Sequence, residues 1–178
     1  MQSARNPHRG FTLIELMTAL TVAGVLLAIG IPNFATVMEN SRLRSSAFEL
    51  VSDLALARTE AVRRGRAVSV CTTTNGTSCA NPGWTSARLV FTDGAVVGQV
   101  DGTDVILLTS EALPAGVTID GANGRFGNGA ISFDGGGRVI GPTNDDSVRF
   151  CSPGRDARLV RVQRPGNATI QLRDRTCP

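Results

Sequence analysis

The chain has 178 residues, 42% of them apolar and 19% charged, and its net charge is only +3. That balance excludes an intrinsically disordered protein and suits one domain with an appendage. All eighteen basic residues are Arg, and residues 149–178 hold seven of them against two acids. A basic segment on a nearly neutral chain is a candidate surface for binding a polyanion.

An apolar run near the N-terminus is the most informative segment. Residues 11–31 include fifteen apolar residues and one charge, Glu15. As a helix, this run spans about 30 Å, enough to cross the core of a bilayer. The segment before it carries Arg5 and Arg9 and no acid, which orients the N-terminus towards the cytoplasm. A cleaved secretory signal would end in an A-x-A pattern. The sequence after the run lacks that pattern, so the run should stay in the mature protein.

Glu15 needs a physical explanation, because a carboxylate in a membrane helix costs of order 2–3 kcal/mol. It either lies near the interface and reaches water, or it is paired with a charge outside its own helix. Cleavage after Gly10 would create such a charge, since it would leave a free α-amino group on Phe11 of a neighbouring subunit.

Residues 10–16, GFTLIEL, resemble the processing site of type IV prepilins and type II secretion pseudopilins. The resemblance implies that a prepilin peptidase cuts between Gly10 and Phe11 and methylates the new N-terminal Phe11. It also implies that Glu15 aligns the subunit in a filament. Pro32 matches the proline that kinks the stem helix in this family, and it should bend or locally melt the helix.

A second helical segment is predicted from Asn33 to about Arg64. Apolar residues recur there at alternating spacings of four and three, which is typical of a helix face packed on a core. They are Leu43, Ala47, Leu50, Leu54, Ala57 and Ala61. Charged residues, including Glu49 and Asp53, lie mainly off this stripe. Gly65 is a natural end for the helix.

From Arg66 onward the apolar period changes to two, which predicts short strands separated by turns. The predicted strands are 67–72, 87–92, 105–109, 117–120, 130–133, 138–140, 148–151, 158–163 and 168–173. The glycines at 124–129 and 135–137 and the pair Asp145-Asp146 are interpreted as turns rather than as a phosphate loop or a catalytic dyad. A long helix followed by many strands predicts an α+β fold with an antiparallel β head.

Several segments of the head narrow the resemblance to the GspH/FimT group of minor pilins and pseudopilins. They are ALARTEAVRRGRAVSVC, Gly83-Trp84, LVFTDG, ALPAGVTI and AISFDGGGRV. The implied organisation is a cleaved leader (1–10), a transmembrane half (11–34) and an amphipathic half (35–65) of the stem helix, and a periplasmic head (66–178). The resemblance further implies a single-pass protein of the bacterial inner membrane that assembles with other minor subunits and the major pilin.

The four cysteines suit an oxidising compartment, where two disulfides are favoured over free thiols. Four cysteines allow three connectivities, and the sequence alone does not select one. We favour Cys71–Cys79, which closes a local loop, and Cys151–Cys177, which pins the C-terminus. A zinc site is the rival, but the sequence has no CxxC pair. We expect no metal and no cofactor.

Two function classes follow, and neither is enzymatic. The only histidine, His8, lies in the leader, so no Ser/His/Asp or Cys/His set is available. The first class is a structural subunit that helps to initiate or cap a type IV pilus or a type II secretion pseudopilus. The second is a DNA-binding minor pilin that acts in DNA uptake. We place structural assembly first.

In the DNA hypothesis, spaced arginines contact phosphates. The candidates are Arg161, Arg164, Arg173 and Arg175. Alternation along the last strand predicts that Ala168, Ile170 and Leu172 face the core, with Thr169, Gln171 and the arginines outward. DNA-uptake members carry a Gly-Arg-x-Arg motif, which residues 172–175 match only in part. Exposed Arg that protects an edge strand from aggregation is the alternative.

Overall fold

The structure is a computed structural model that describes residues 10–141 and 146–177, without the side chains of residues 32–33 and 173–176. One long helix precedes eight strands. The elements are α1 (Leu13–Arg64), β1 (Val68–Thr72), β2 (Arg88–Thr92), β3 (Ile106–Ser110), β4 (Thr118–Asn123), a 3₁₀ helix (Gly124–Asn128), β5 (Ala130–Phe133), β6 (Asp146–Cys151), β7 (Asp156–Gln163) and β8 (Asn167–Thr176). The predicted α+β architecture is confirmed.

The chain divides into two units, residues 1–38 and residues 39–178. The leader up to residue 9 lies outside the described residues. The helix is continuous in sequence from Leu13 to Arg64, so it contributes to both units. Local melting at Pro32 is therefore not observed, whereas a bend there stays a prediction.

The end of α1 follows the expected rules. The Gly65 backbone has a positive φ of 62°, and the amide of Arg66 donates to the carbonyl of Ala61 at 3.3 Å. Glycine adopts this left-handed conformation without steric cost and so ends the helix. In the last turn, hydrogen bonds from Arg63 and Arg64 lower the pKa of Glu60 to about 2. Glu60 therefore stays ionised down to a lower pH than an ordinary Glu side chain.

Two four-stranded antiparallel sheets form the head, in the orders β3-β2-β1-β5 and β4-β6-β7-β8. All six residues of the predicted helix stripe are buried, and they join apolar residues of both sheets in one core. The first sheet contributes Val68, Val70, Val90, Ile131 and Phe133, and the second contributes Val148, Phe150, Val160 and Val162. The helix stripe is therefore the surface on which both sheets pack.

The prediction of a strand at residues 138–140 is wrong. It makes only one isolated bridge, between Val139 and Phe133. The chain reverses tightly before it, because Asp134 and Arg138 are joined through an amide-to-carbonyl bond of 2.8 Å, and Gly137 has a positive φ of 73°. The Ile140 amide also donates to the Ser132 carbonyl at 2.9 Å, and the pairing ends there because Gly141 has a positive φ of 100° and leaves the extended conformation.

Residues 124–129 are also different from the prediction. The segment interpreted as a turn contains the 3₁₀ helix, and φ is positive at its first residue, Gly124, and at Gly129 directly after it. Phe126 of this helix accepts a hydrogen bond from Trp84 Nε1 at 2.6 Å, and the two rings pack edge to face at 4.8 Å. The only tryptophan is thereby held in the core.

Asp146 is not the solvated turn residue that we expected. It begins β6 and is only 2% exposed, where it pairs with the guanidinium of Arg125 and accepts the Arg125 amide at 2.8 Å. Its neighbour Asp145 lies outside the described residues. A buried carboxylate is stable only with such partners, so the pair is structural.

Leu172 also departs from the prediction, because it is 59% exposed rather than in the core. Ala168 and Ile170 do pack on the core, opposite Val162 and Val160 of β7. The next pair on this face is Leu172 with Arg158. The apolar core therefore ends before Leu172, and alternation along one strand could not show where the neighbouring layer stops.

Both favoured disulfides are present, Cys71–Cys79 and Cys151–Cys177, with Cα atoms 5.7 and 5.4 Å apart. The first is linked to a small cluster with Leu89 and Phe91 on the outer face of the first sheet. The second ties the C-terminus to the end of β6. A cross-link of this kind restricts the unfolded chain and so favours the folded head.

A buried ion pair joins α1 to the first sheet. Arg88 on β2 donates from Nε to Asp53 at 2.8 Å and from Nη2 to Glu49 at 2.9 Å. Ser110 of β3 donates to the other oxygen of Asp53 at 2.9 Å. Arg88 and Asp53 are both buried, which corrects the prediction that Asp53 lies off the packed face.

We predict that Asp53→Ala destabilises the head by about 3–5 kcal/mol, because it leaves the Arg88 charge buried without its main partner. Urea unfolding of the full chain in detergent, followed by Trp84 fluorescence, measures the change. Glu49→Ala is the matched control: its side chain is 45% exposed, so we expect a loss of at most about 1 kcal/mol. Equal losses for the two variants would contradict a stabilising role for the buried pair.

Candidate processing and assembly site

The predicted cleavage site lies just before the first turn of α1. Gly10, Phe11 and Thr12 are outside regular structure, and the Phe11 side chain is 90% exposed. A Cβ on Gly10 would meet no atom within 4 Å. No crowding by the described residues therefore requires glycine at this position, and the bond between Gly10 and Phe11 is accessible.

Glu15 has a partner in its own chain that sequence reasoning missed. Its Oε2 accepts hydrogen bonds from the amide and the hydroxyl of Thr12, both at 3.0 Å, while the Glu15 amide donates to Thr12 Oγ1 at 3.3 Å. This is a capping box, in which Thr and a Glu three residues later satisfy each other's amides at a helix start. The spacing Thr-x-x-Glu was the available signal.

The first part of α1 presents an apolar surface to its surroundings. Fourteen large apolar side chains between Leu13 and Met38 are 41–78% exposed. The hydroxyls of Thr18 and Thr21 donate to carbonyls one turn earlier, at 2.8–3.0 Å. By length and composition this helix could cross a membrane. Because these two hydroxyls bond within the helix, they are compatible with an apolar environment.

The candidate DNA-binding arginines do not form one described strip. Arg161 on β7 is half-buried, opposite Ser147 and Thr169. Arg164 lies after β7 and donates to the carbonyl of Gly141 at 2.6 Å. Arg173 and Arg175 belong to β8, but their side chains lie outside the description.

Ion pairs also reduce the free basic charge of the C-terminal segment. Arg149 pairs with Asp120 at 2.5 Å, and Arg155 pairs with Glu39 at 2.8 Å. Nothing in the described part of the chain favours DNA over another anion. The DNA hypothesis therefore stays a prediction.

Comparison with known proteins supports the same assignment for both parts of the chain. Residues 46–166 match the family model described as type II transport protein GspH. Residues 5–31 match the prokaryotic N-terminal methylation motif. A fimbrial protein of Pseudomonas aeruginosa is 31% identical over 120 residues, which cover 65% of this chain and 75% of that protein.

Solved structures show the fold. A crystal structure of the type IV minor pilin FimU of Pseudomonas aeruginosa has a TM-score of 0.57 at 20% identity, over 76% of this chain and 92% of FimU. A second crystal form of FimU has a TM-score of 0.53 at 19% identity, over 72% and 91% of the two chains. The processing motif, the stem helix and the head thus agree, and the chain belongs to the GspH/FimT family of type IV minor pilins and type II secretion pseudopilins.

Proposed function

We propose that this chain is held in the bacterial inner membrane by α1, with its head in the periplasm, and is then assembled into a filament. As a minor subunit it helps to initiate or cap a type IV pilus or a type II secretion pseudopilus. The observation that carries the proposal is the exposed apolar part of α1, whose hydroxyls already bond within the helix. Such a surface can be buried by lipid before assembly and by neighbouring stem helices afterwards.

The proposed maturation is cleavage by a prepilin peptidase between Gly10 and Phe11, followed by methylation of Phe11. Two observations support this step: Phe11 is exposed, and no described residue crowds Gly10. Cleavage leaves Phe11 directly before the capping residue Thr12. The new amine is then one residue from the start of the capped helix, where a neighbouring subunit can reach it.

In the filament, we propose that Glu15 exchanges its bonds to Thr12 for the Phe11 amine of a neighbouring subunit. The capping box holds the carboxylate in the single subunit. A charged amine is a stronger partner than an amide or a hydroxyl in an apolar environment, because the Coulomb attraction is weakly screened there. The other minor subunits and the major pilin would be the partners of this assembly.

We predict that Gly10→Leu blocks processing, because a bulky side chain replaces the glycine directly before the cut. The fold should be unchanged, since a Cβ at this position meets no described atom within 4 Å. Mass spectrometry of the membrane-extracted native protein should show a chain that begins at N-methyl-Phe11, whereas the variant keeps its leader. Gly24→Leu is the control, because a Cβ on Gly24 also points into open space, and it should be processed normally. A native chain that retains Met1, or one that begins after residue 30, would contradict the proposed site.

We predict that Glu15→Gln and Glu15→Ala both insert into the membrane and both lose incorporation into filaments. Gln can still cap the helix but carries no charge. The Glu15→Gln variant therefore removes the ion pair and keeps the cap. Thr12→Ala is the converse variant, which removes the cap and keeps the charge. The measurement is the amount of the variant in sheared filaments relative to the amount in the membrane.

If Glu15 acts through an ion pair with the neighbouring amine, Thr12→Ala should enter filaments in a larger amount than Glu15→Gln. Normal assembly of Glu15→Gln together with poor assembly of Thr12→Ala would assign Glu15 to capping alone. Normal assembly of Glu15→Ala would show that neither role matters for incorporation.

A further inference from the structure

A cleft opens at the end of the head that is nearest in sequence to the apolar part of α1. It has a volume of about 410 Å³. Glu39 and Arg42 of α1 line one side, residues 115–117 before β4 line another, and Ser152 and Pro153 of the β6–β7 loop complete it. All these residues belong to the same unit of the chain.

The lining of this cleft contains a positive charge that has no ion-pair partner among the described residues. The carboxylate of Glu39 is taken up by Arg155, whose Nη2 and Nε donate to it at 2.8 and 3.1 Å. Arg42 is exposed and makes no ion pair with any residue in the described ranges. Glu39 is the only acid among the described lining residues, and it is already neutralised, so this part of the cleft presents the guanidinium of Arg42 without a described ion-pair partner.

Other features suit the cleft to a phosphate rather than to a simple counterion. Ser152 and the glycine-containing turn 115–117 add a hydroxyl and backbone groups to the lining. A guanidinium can donate two parallel hydrogen bonds to a phosphate, which a serine hydroxyl or an amide can supplement.

The position along the chain identifies the source of the phosphate. Only seven residues, 32–38, separate Ile31, the end of the apolar run, from Glu39, and none of them carries a charge. Whatever its path, a segment of that length spans at most about 28 Å. If the apolar run is in the bilayer, the cleft lies within reach of the lipid headgroups.

We propose that this cleft binds the phosphate of an anionic phospholipid headgroup through Arg42. The inference rests on the membrane anchoring proposed above. Bound lipid would hold the head against the membrane surface while the subunit waits for assembly, and extraction into a filament would break that contact. The interaction is electrostatic, so it weakens as the ionic strength rises.

The test uses the mature full chain in nanodiscs of either pure phosphatidylcholine or phosphatidylcholine with phosphatidylglycerol. Hydrogen exchange of residues 115–117 and 152–155 is measured in each. We expect exchange about threefold slower or more in the anionic discs, and loss of that difference in Arg42→Gln and at high salt. Arg138→Gln is the matched control, because Arg138 is exposed and its turn contacts Gly65 at the other end of the helix.

Each contrary outcome has a distinct meaning. A chain that fails to co-elute with either nanodisc overturns the anchoring itself, whereas co-elution with equal exchange in both discs overturns only the lipid inference. Equal loss of protection in Arg42→Gln and Arg138→Gln would reduce the effect to net charge and overturn the site. Protection in pure phosphatidylcholine discs by inorganic phosphate, or by a short DNA duplex, with none from phosphatidylglycerol, would reassign the cleft and overturn its assignment to lipid.

Discussion

One helix has to satisfy two different surroundings, and the rest of the molecule follows from that constraint. Between Leu13 and Met38 its large apolar side chains are exposed. Between Leu43 and Ala61 a single stripe of the same helix is fully buried. The first part can be stable only where lipid or other helices remove it from water, because exposed apolar area is unfavourable. The apolar stripe of the second part is buried by the head of the same chain.

The head has two sheets that both pack on the buried stripe of the helix. A stripe with spacings of four and three is wide enough for the inner faces of two sheets to meet on it, and residues of both sheets share one core with the stripe. Apolar packing alone is not directional, so it does not specify the position of a sheet along a helix. The bond of Arg88 to Asp53 does have a direction, and Ser110 adds a second strand to it. We infer that this polar contact sets the register of the first sheet on the helix.

The two ends of the helix use polar residues in a similar way. Thr12 and Glu15 satisfy each other at the N-terminus, and Thr18 and Thr21 bond to carbonyls of their own helix. At the other end, Glu60 binds both arginines of the last turn. Local bonding lowers the cost of moving a polar group out of water, because the group keeps a hydrogen-bond partner. A subunit that passes from a bilayer into a filament, as we propose for this chain, would need this property.

The sequence by itself determined the parts of this protein that depend on local pattern. The processing motif, the long helix, its buried stripe, its end at Gly65 and most of the strands follow from spacing and residue type, which act over a few residues. Tertiary structure decided the features that need partners distant in the chain: the burial of Asp53 and Asp146 by arginines, the exposure of Leu172 at the end of the core, and the cleft between Glu39 and the β6–β7 loop. Burial of a charge depends on whether a neutralising partner is brought within bonding distance, and no local pattern contains that distance.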